Sequence, residues 1–181
     1  MKVKRSHWLI NMINERGYTI GAEIGAATGV TTKQLLDNCS NLKQLIIADI
    51  WKPVGTPGHP WNRNDMEEGF RNNFGSDPRI RILKGLSWEM AADVDNSSLD
   101  FAFIDADHSY ECVKKDISAW SKKVKLHGVL CGHDINSEGV FKAVDELLPG
   151  WKDSGIDHVW YYAYKDIKAD PAILIRNTIN K

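Results

Sequence analysis

The chain has 181 residues, a length that predicts one domain able to bury most of its apolar surface in a single core. Hydrophobic residues make up 43% and charged residues 26%, which excludes a disordered or fibrous chain. The 23 basic and 24 acidic side chains give a net charge of −1, so no global field favours nucleic acid or an anionic membrane. We therefore expect a single domain over residues 1–181 that binds neither.

The expected location follows from two further features of the composition. No apolar run approaches the roughly 18 residues of a membrane-spanning helix, and polar residues interrupt the first 17 positions, unlike a signal peptide. The three cysteines, Cys39, Cys112 and Cys131, are an odd number without CxxC spacing, which predicts neither a disulfide framework nor a zinc knuckle. These features predict a cytoplasmic protein. The sequence leaves open whether the chain is a monomer or a homo-oligomer.

Short apolar runs alternate with segments of helical periodicity along the chain. The predicted helices lie around residues 8–13, 30–38, 65–74, 87–94, 113–124 and 140–148. The predicted strands lie at 18–24, 45–49, 80–83, 99–104, 129–131 and 158–164, the last of them an edge or antiparallel strand. Because these strands are apolar on both faces, they predict a doubly wound α/β fold with a parallel sheet between two helical layers.

The ends of the predicted strands carry acidic residues. In sheets of this kind, ligands bind at the carboxyl ends of the strands, near the point where the strand order reverses. The first, second, fourth and fifth strands end at Gly25, Asp49, Asp105 and Asp134. Three carboxylates along one edge of a sheet indicate a binding or catalytic site rather than a purely structural one.

A glycine-containing turn, Glu-Ile-Gly-Ala-Ala-Thr-Gly, follows the first strand and begins at Glu23. Its G-x-x-x-G spacing differs from the G-x-G-x-x-G of a dinucleotide site, and a plain tight turn is the alternative interpretation. Glu23 would repel a pyrophosphate but suits an ammonium or sulfonium group. Asp49, at the end of the next strand, can accept hydrogen bonds from ribose hydroxyls. S-adenosylmethionine, a nucleoside that carries a cationic amino acid, satisfies both carboxylates.

A second group of polar residues follows the fourth and fifth strands. Those strands lead into Asp105-Ala-Asp107-His108-Ser-Tyr and Gly-His133-Asp134. Adjacent strand ends bring Asp105, His133 and Asp134 together, with His108 on the loop between them. Oxygen ligands with at most one imidazole suit Mg²⁺, Mn²⁺ or Ca²⁺ better than structural zinc. The alternative is structural: Asp107 caps the following helix, and His133 is an ordinary strand-end histidine.

These motifs occur together and in order over residues 18–148. With Asp49 and the nearby Trp51, they resemble those of a class I S-adenosylmethionine-dependent methyltransferase. The narrower resemblance is to the small-molecule branch, with macrocin-type sugar O-methyltransferases and metal-dependent catechol and caffeoyl-coenzyme A O-methyltransferases. It implies a mostly parallel, seven-stranded Rossmann-like sheet with an antiparallel last strand. It also implies S-adenosylmethionine as cofactor, Mg²⁺ or Mn²⁺ as a metal for some members, and a small-molecule acceptor of undefined class.

The resemblance assigns cofactor-binding roles position by position. Glu23, Gly25 and Gly29 match the turn that binds the methionine part of the cofactor, and Asp49 matches the acid that binds the ribose. The segment that contains Ser87 and Trp88 matches the one that flanks the adenine.

The resemblance also assigns the chemical groups. Asp105 and Asp134 match metal-binding acids, and Asp105 is additionally expected to contact the cofactor and act in catalysis. His133 stands where the metal-dependent members have Asp or Glu, so the metal set Asp105, His133 and Asp134 departs from their pattern. His108 matches a histidine that acts as general base in some sugar methyltransferases.

The sequence thus favours an enzyme that transfers a methyl group to a hydroxyl. A non-catalytic or regulatory nucleotide-binding module on the same scaffold is the alternative, whereas Glu23 and the missing dinucleotide motif argue against an NAD-dependent oxidoreductase. The segment at positions 51–64, with three prolines and two glycines, predicts a loop that closes over the site as a lid.

Overall fold

The computed structural model describes residues 4–52 and 64–164, in which helices and strands alternate. The helices are α1 (Arg5–Arg16), α2 (Val30–Asn38), α3 (Met66–Phe74), α4 (Ser87–Met90, continued by a 3-10 turn at Ala91–Asp93), α5 (Tyr110–Trp120) and α6 (Glu138–Leu147). The strands are β1 (Ile20–Ile24), β2 (Gln44–Asp49), β3 (Ile80–Lys84), β4 (Leu99–Ile104), β5 (Val124–Gly132), β6 (Lys152–Asp153) and β7 (Trp160–Ala163). None of the helices in these two ranges is long and apolar enough to span a membrane.

The strands form one sheet in the order β3-β2-β1-β4-β5-β7-β6. Strands β1 to β5 are parallel, β7 is antiparallel to β5, and β6 is antiparallel to β7. This arrangement confirms the predicted α/β fold with seven strands and an antiparallel last strand. The strand order reverses between β1 and β4. A ligand-binding crevice is therefore expected just outside the carboxyl ends of these two strands.

The sheet is buried on both faces, as its apolar strands predict. Helices α1, α2 and α3 cover one face and α4, α5 and α6 the other, so that β4 sends Phe101 and Phe103 into one core and Ala102 and Ile104 into the other. Because successive side chains of a strand point to opposite faces, a strand with two buried faces must be apolar throughout. The two cores hold the strands in register and thereby align their carboxyl ends.

Three sequence predictions about these elements were wrong or incomplete. Val124 does not belong to the long helix, because α5 ends at Trp120 and Val124 pairs with Leu99 at the start of β5. Its helical spacing was coincidental, since a buried strand residue can follow a helix at the same interval. The apolar pattern that predicted the helix at 140–148 includes Phe141, whose side chain is nevertheless 49% exposed and packs edge-on against Trp151. The two-residue strand β6 has no apolar pattern, because both its residues are exposed.

The predicted lid at positions 51–64 lies largely outside the described residues, which stop at position 52 and resume at 64. The first residue of the segment, Trp51, is buried and donates its indole N–H to the backbone oxygen of Ala27 at 2.8 Å. This contact connects the end of β2 to the turn after β1. The lid itself therefore stays a prediction.

Asp100 anchors the opposite, amino-terminal edge of the sheet. Its Oδ2 accepts hydrogen bonds from the backbone N–H groups of Thr19 and Ile20 at 2.8 and 2.9 Å, and its Oδ1 lies 2.7 Å from Lys125 Nζ. One carboxylate thus connects β4 to the starts of β1 and β5. Although burial raises its pKa, the bonds from Lys125 and the two amides outweigh burial and hold the pKa of Asp100 below its usual range.

We predict that Asp100→Ala lowers the free energy of unfolding by about 1–3 kcal/mol at neutral pH, because two backbone donors lose their partner. A folded-state pKa below the unfolded value gives stability that is present above the unfolded pKa and lost as pH falls through the folded one. The difference between wild type and variant should therefore shrink in acid. Urea unfolding at several pH values measures it, with the exposed Asp95→Ala as control. Equal stability of wild type and Asp100→Ala at neutral pH would contradict the assignment.

Candidate active site

The glycine turn after β1 packs directly against the end of β4. Gly25 has φ +88° and donates its N–H to Ala48 O at 2.9 Å, and a Cβ atom built on it would lie 2.2 Å from the backbone oxygen of Asp105. Asp105 in turn donates its N–H to Ile24 O at 2.7 Å. Gly29 has φ +83° at the N-cap of α2, where a Cβ would meet Phe74 at 2.3 Å. Both glycines are therefore required by conformation and by space.

Glu23 is enclosed by the protein just before this turn. Its side chain is 1% exposed, and Oε2 accepts a hydrogen bond from Thr32 Oγ1 at 2.6 Å. Burial raises the pKa of Glu23 to about 8, despite the opposing bond from Thr32. Without a ligand the group is therefore mostly protonated at neutral pH, and a nearby cation would stabilise its ionised form.

Asp49 holds the glycine turn in place. Its Oδ2 accepts hydrogen bonds from the N–H groups of Ala26 and Ala27, both at 2.8 Å, and its Oδ1 accepts one from Trp51 N at 2.6 Å. The sequence predicted an acceptor for ribose but not this internal use of the carboxylate. A carboxylate offers about four acceptor positions, so three bonds leave room for a ribose hydroxyl.

The predicted adenine-flanking segment lies beside Asp49, whose backbone oxygen accepts a hydrogen bond from Gly85 N at 3.1 Å. The ammonium nitrogen of Lys115 lies over the ring of Trp88, 4.7 Å from the ring centroid. Ser87 donates its hydroxyl to Asp116 Oδ1 at 2.6 Å, a contact that the sequence analysis missed. Burial raises the pKa of Asp116 to about 7, against the bond from Ser87.

The acidic and histidine side chains predicted at the ends of β4 and β5 do converge. One ligand atom each from Asp105, His108 and Asp134 lie within 4.8 Å of one another. His108 Nε2 is 3.0 Å from Asp134 Oδ2. His133 Nδ1 is 2.9 Å from the same oxygen and 3.8 Å from Asp105 Oδ1. We call these four residues the acidic cluster, and it lies next to the glycine turn.

The charges in the acidic cluster depend on one another. Hydrogen bonds from His108 and His133 hold the pKa of Asp134 far below its usual range, and the bond to Asp134 raises the pKa of His108. Burial raises the pKa of Asp105, while Arg5 and His133 oppose that rise. Asp134 therefore stays ionised, whereas burial and the neighbouring cations act on the pKa of Asp105 in opposite directions.

Local backbone bonds explain how these side chains are placed. The N–H of His133 donates to Ile104 O at 3.0 Å, and its carbonyl accepts the indole N–H of Trp160 at 3.2 Å. Asp134 follows with φ +54°, a left-handed conformation that turns its side chain back toward β4 and that Asp tolerates better than most residues. Asp107 accepts the N–H of Ser109 at 2.7 Å rather than capping α5 directly.

Two further residues, which the sequence did not predict, reach the acidic cluster. Arg5, at the start of α1, lies 3.4 Å from Asp105, and Asp157, in the turn before β7, lies 3.8 Å from His133 Nε2. Neither belongs to a motif, and 152 positions separate them in the chain. Only the folded backbone brings them together, so no pattern of spacing could have signalled them.

A family model described as a methyltransferase domain matches residues 22–135, which include the glycine turn and the acidic cluster. Solved structures of related fold include a protein from Staphylococcus aureus assigned as a caffeoyl-CoA O-methyltransferase, with 17% identity, a TM-score of 0.67, and coverage of 89% of this chain and 82% of that one. The O-methyltransferase NovP is 16% identical, with a TM-score of 0.67 and coverage of 89% and 78%. The S-adenosylhomocysteine-bound methyltransferase PaMTH1 from Podospora anserina is 13% identical, with a TM-score of 0.67 and coverage of 90% and 78%.

No curated protein matches the chain in a direct sequence comparison. At these identities the solved structures establish the fold, and the activity comes from the family match, which covers more than half of the chain. The chain belongs to the methyltransferase domain family and is an S-adenosylmethionine-dependent methyltransferase.

Proposed function

We propose that the chain transfers the methyl group of S-adenosylmethionine to a hydroxyl oxygen of a small-molecule acceptor. The observation that carries this proposal is the convergence of Asp105, His108 and Asp134 within 4.8 Å. This cluster borders the glycine turn through the bond from Asp105 N–H to Ile24 O, so a methyl donor held by the turn would present its reactive end to the cluster. The related folds of two O-methyltransferases support oxygen as the acceptor atom.

The proposed cofactor site runs along the carboxyl edge of the sheet from β4 to β3. Ionised Glu23 would balance the positive charges of the methionine end, and the tight turn that Gly25 and Gly29 make possible would bring its backbone close to the cofactor. Asp49 would accept a hydrogen bond from the ribose in addition to its three internal bonds. Ser87 and Trp88, next along the edge, would flank the adenine.

The donor set of the acidic cluster fits a divalent cation. Asp105 and Asp134 would supply carboxylate oxygens and His133 an imidazole nitrogen, a mixture that favours Mn²⁺ over Mg²⁺. A cation bound there would lower the pKa of an acceptor hydroxyl. The fit rests on the chemistry of the three side chains and on the short distances between them.

His108 is proposed as the general base. Its Nε2 lies 3.0 Å from Asp134 Oδ2, which orients the ring and leaves Nδ1 of the neutral tautomer to accept a proton. The acceptor hydroxyl gives its proton to Nδ1 while its oxygen bonds to the methyl carbon, and the carbon–sulfur bond breaks to leave S-adenosylhomocysteine. The ionised Asp134 stabilises the resulting imidazolium. Because 48% of the His108 side chain is exposed, an acceptor can reach it.

We predict that Asp49→Ala weakens S-adenosylhomocysteine binding by about 1.5–3 kcal/mol, because it removes a charged hydrogen-bond acceptor and releases the glycine turn. Isothermal titration calorimetry measures the effect, and NAD should give no binding to the wild type. The exposed Asp93→Ala, which removes the same charge, should bind as the wild type does. An unchanged affinity of Asp49→Ala would remove the residue from the cofactor site.

His108→Ala should reduce turnover by roughly 10²–10⁴-fold, the usual contribution of a positioned acid–base group. The assay is S-adenosylhomocysteine release with an acceptor found in a panel of hydroxylated small molecules. Cofactor affinity should stay unchanged. His127→Asn is a suitable control, because His127 is exposed at the opposite edge of the sheet and Asn tolerates its φ of +66°. Full turnover of His108→Ala would exclude it as the base.

Asp134→Asn should abolish metal-dependent turnover while S-adenosylhomocysteine still binds, since the amide removes a charged ligand but tolerates the left-handed backbone. Wild-type turnover should stop in excess chelator and return with added Mn²⁺. Calorimetry of Mn²⁺ binding to both proteins checks the site without an acceptor. Undiminished turnover in excess chelator would remove the metal from the proposal and leave His108 as the base.

A further inference from the structure

The guanidinium of Arg5 enters the acidic cluster from the first residue of α1. Its Nη2 lies 3.4 Å from Asp105 Oδ2 and its Nη1 lies 3.5 Å from His133 Nδ1. Its Nε donates to Thr31 Oγ1, near the start of α2, at 3.4 Å. The guanidinium of Arg5 therefore connects α2, the helix that follows the glycine turn, to the ends of β4 and β5 within the candidate active site.

The backbone position of Arg5 is held by a separate contact. Its N–H donates to Asp157 Oδ2 at 3.0 Å, in the turn between β6 and β7. Asp157 and His158 have φ values of +48° and +59°, and such consecutive left-handed residues other than glycine cost roughly 1–3 kcal/mol each. Strain of this kind persists where the surrounding structure enforces it, and here it aims Asp157 at the start of α1.

The side-chain contacts of Arg5 are loose by comparison. All three are 3.4–3.5 Å long, whereas charge-assisted hydrogen bonds between nitrogen and oxygen are typically about 2.7–2.9 Å. The Arg5 side chain is also 32% exposed, against 13% for Asp105. The guanidinium thus balances the charge of the cluster through long contacts and is partly exposed to solvent.

We propose that Arg5 is an internal counter-ion of the acidic cluster that competes with a divalent cation for Asp105. A guanidinium that contacts Asp105 opposes the binding of a divalent cation to the same carboxylate, because the two positive charges repel each other in a partly buried site. Binding of the metal would therefore weaken the contact between Arg5 and Asp105, while Asp157 keeps the backbone of Arg5 in place. This inference rests on the metal site of the proposed function.

Competition makes Arg5 a determinant of metal affinity, although Arg5 itself lies outside residues 22–135, which the family model matches. When no metal is bound, the positive charge of Arg5 balances the negative charge of Asp105. Removal of Arg5 should tighten Mn²⁺ binding by roughly fivefold, the equivalent of a partly exposed ion pair. A residue that merely stabilised α1 would not change metal affinity in this direction.

The test is a Mn²⁺ titration of the full chain, with free Mn²⁺ measured by electron paramagnetic resonance. Arg5→Ala should bind Mn²⁺ more tightly than the wild type, and Arg5→Gln should do so as well if Arg5→Ala folds poorly. Lys4→Ala is the matched control, because it removes one positive charge from the exposed neighbouring residue. Its Mn²⁺ affinity should equal that of the wild type.

Equal or weaker Mn²⁺ binding by both Arg5 variants would overturn the inference while leaving the metal site intact. An equal gain in Lys4→Ala would also overturn it, since the effect would then be one of general charge. Absence of Mn²⁺ binding in every variant would refute both the inference and the metal in the proposed function. Binding of S-adenosylhomocysteine, measured in parallel, separates that result from a failure of the cofactor assignment.

Discussion

The contact between the turn after β1 and the end of β4 is the constraint on which the candidate active site depends. Asp105 donates its N–H to Ile24 O, and Gly25 lies so close to the Asp105 carbonyl that any side chain there would collide with it. Parallel pairing of β1 with β4 aligns the two strand ends. The turn that would hold the methyl donor and the carboxylate that would face the acceptor therefore meet at one point. A shift of either strand by one residue would separate them.

Asp49 extends this constraint to the neighbouring strand. Its carboxylate binds two backbone N–H groups of the glycine turn, and its backbone oxygen binds Gly85 at the end of β3. Three consecutive strand ends are thus connected by one residue. The rigidity is useful because methyl transfer needs donor and acceptor to be aligned, and alignment supplies a large part of the rate enhancement in such reactions.

Burial of carboxylates is the cost of this arrangement, and the chain offsets it differently at each position. Burial raises the pKa of Glu23 to about 8, although its carboxylate accepts a hydrogen bond from Thr32. Asp134 accepts bonds from two histidines and stays ionised. At Asp105, burial raises the pKa, while Arg5 and His133 oppose that rise. The site is therefore arranged to receive positive charge, which agrees with a sulfonium cofactor.

The sequence by itself determined the fold class and the elements that carry the site. The apolar runs at 18–24 and 99–104 predicted the buried strands Ile20–Ile24 and Leu99–Ile104, and the strand-end rule predicted that Asp105, His133 and Asp134 lie close together, as the distances between them show. Apolar periodicity indicates which residues are buried but not which element they pack against, so it assigned Val124 to a helix instead of a strand. It also missed β6, because both residues of that strand are polar and exposed. Only the tertiary structure decided that Arg5 and Asp157 reach the same cluster, because hydrogen bonds between residues 152 positions apart leave no local pattern.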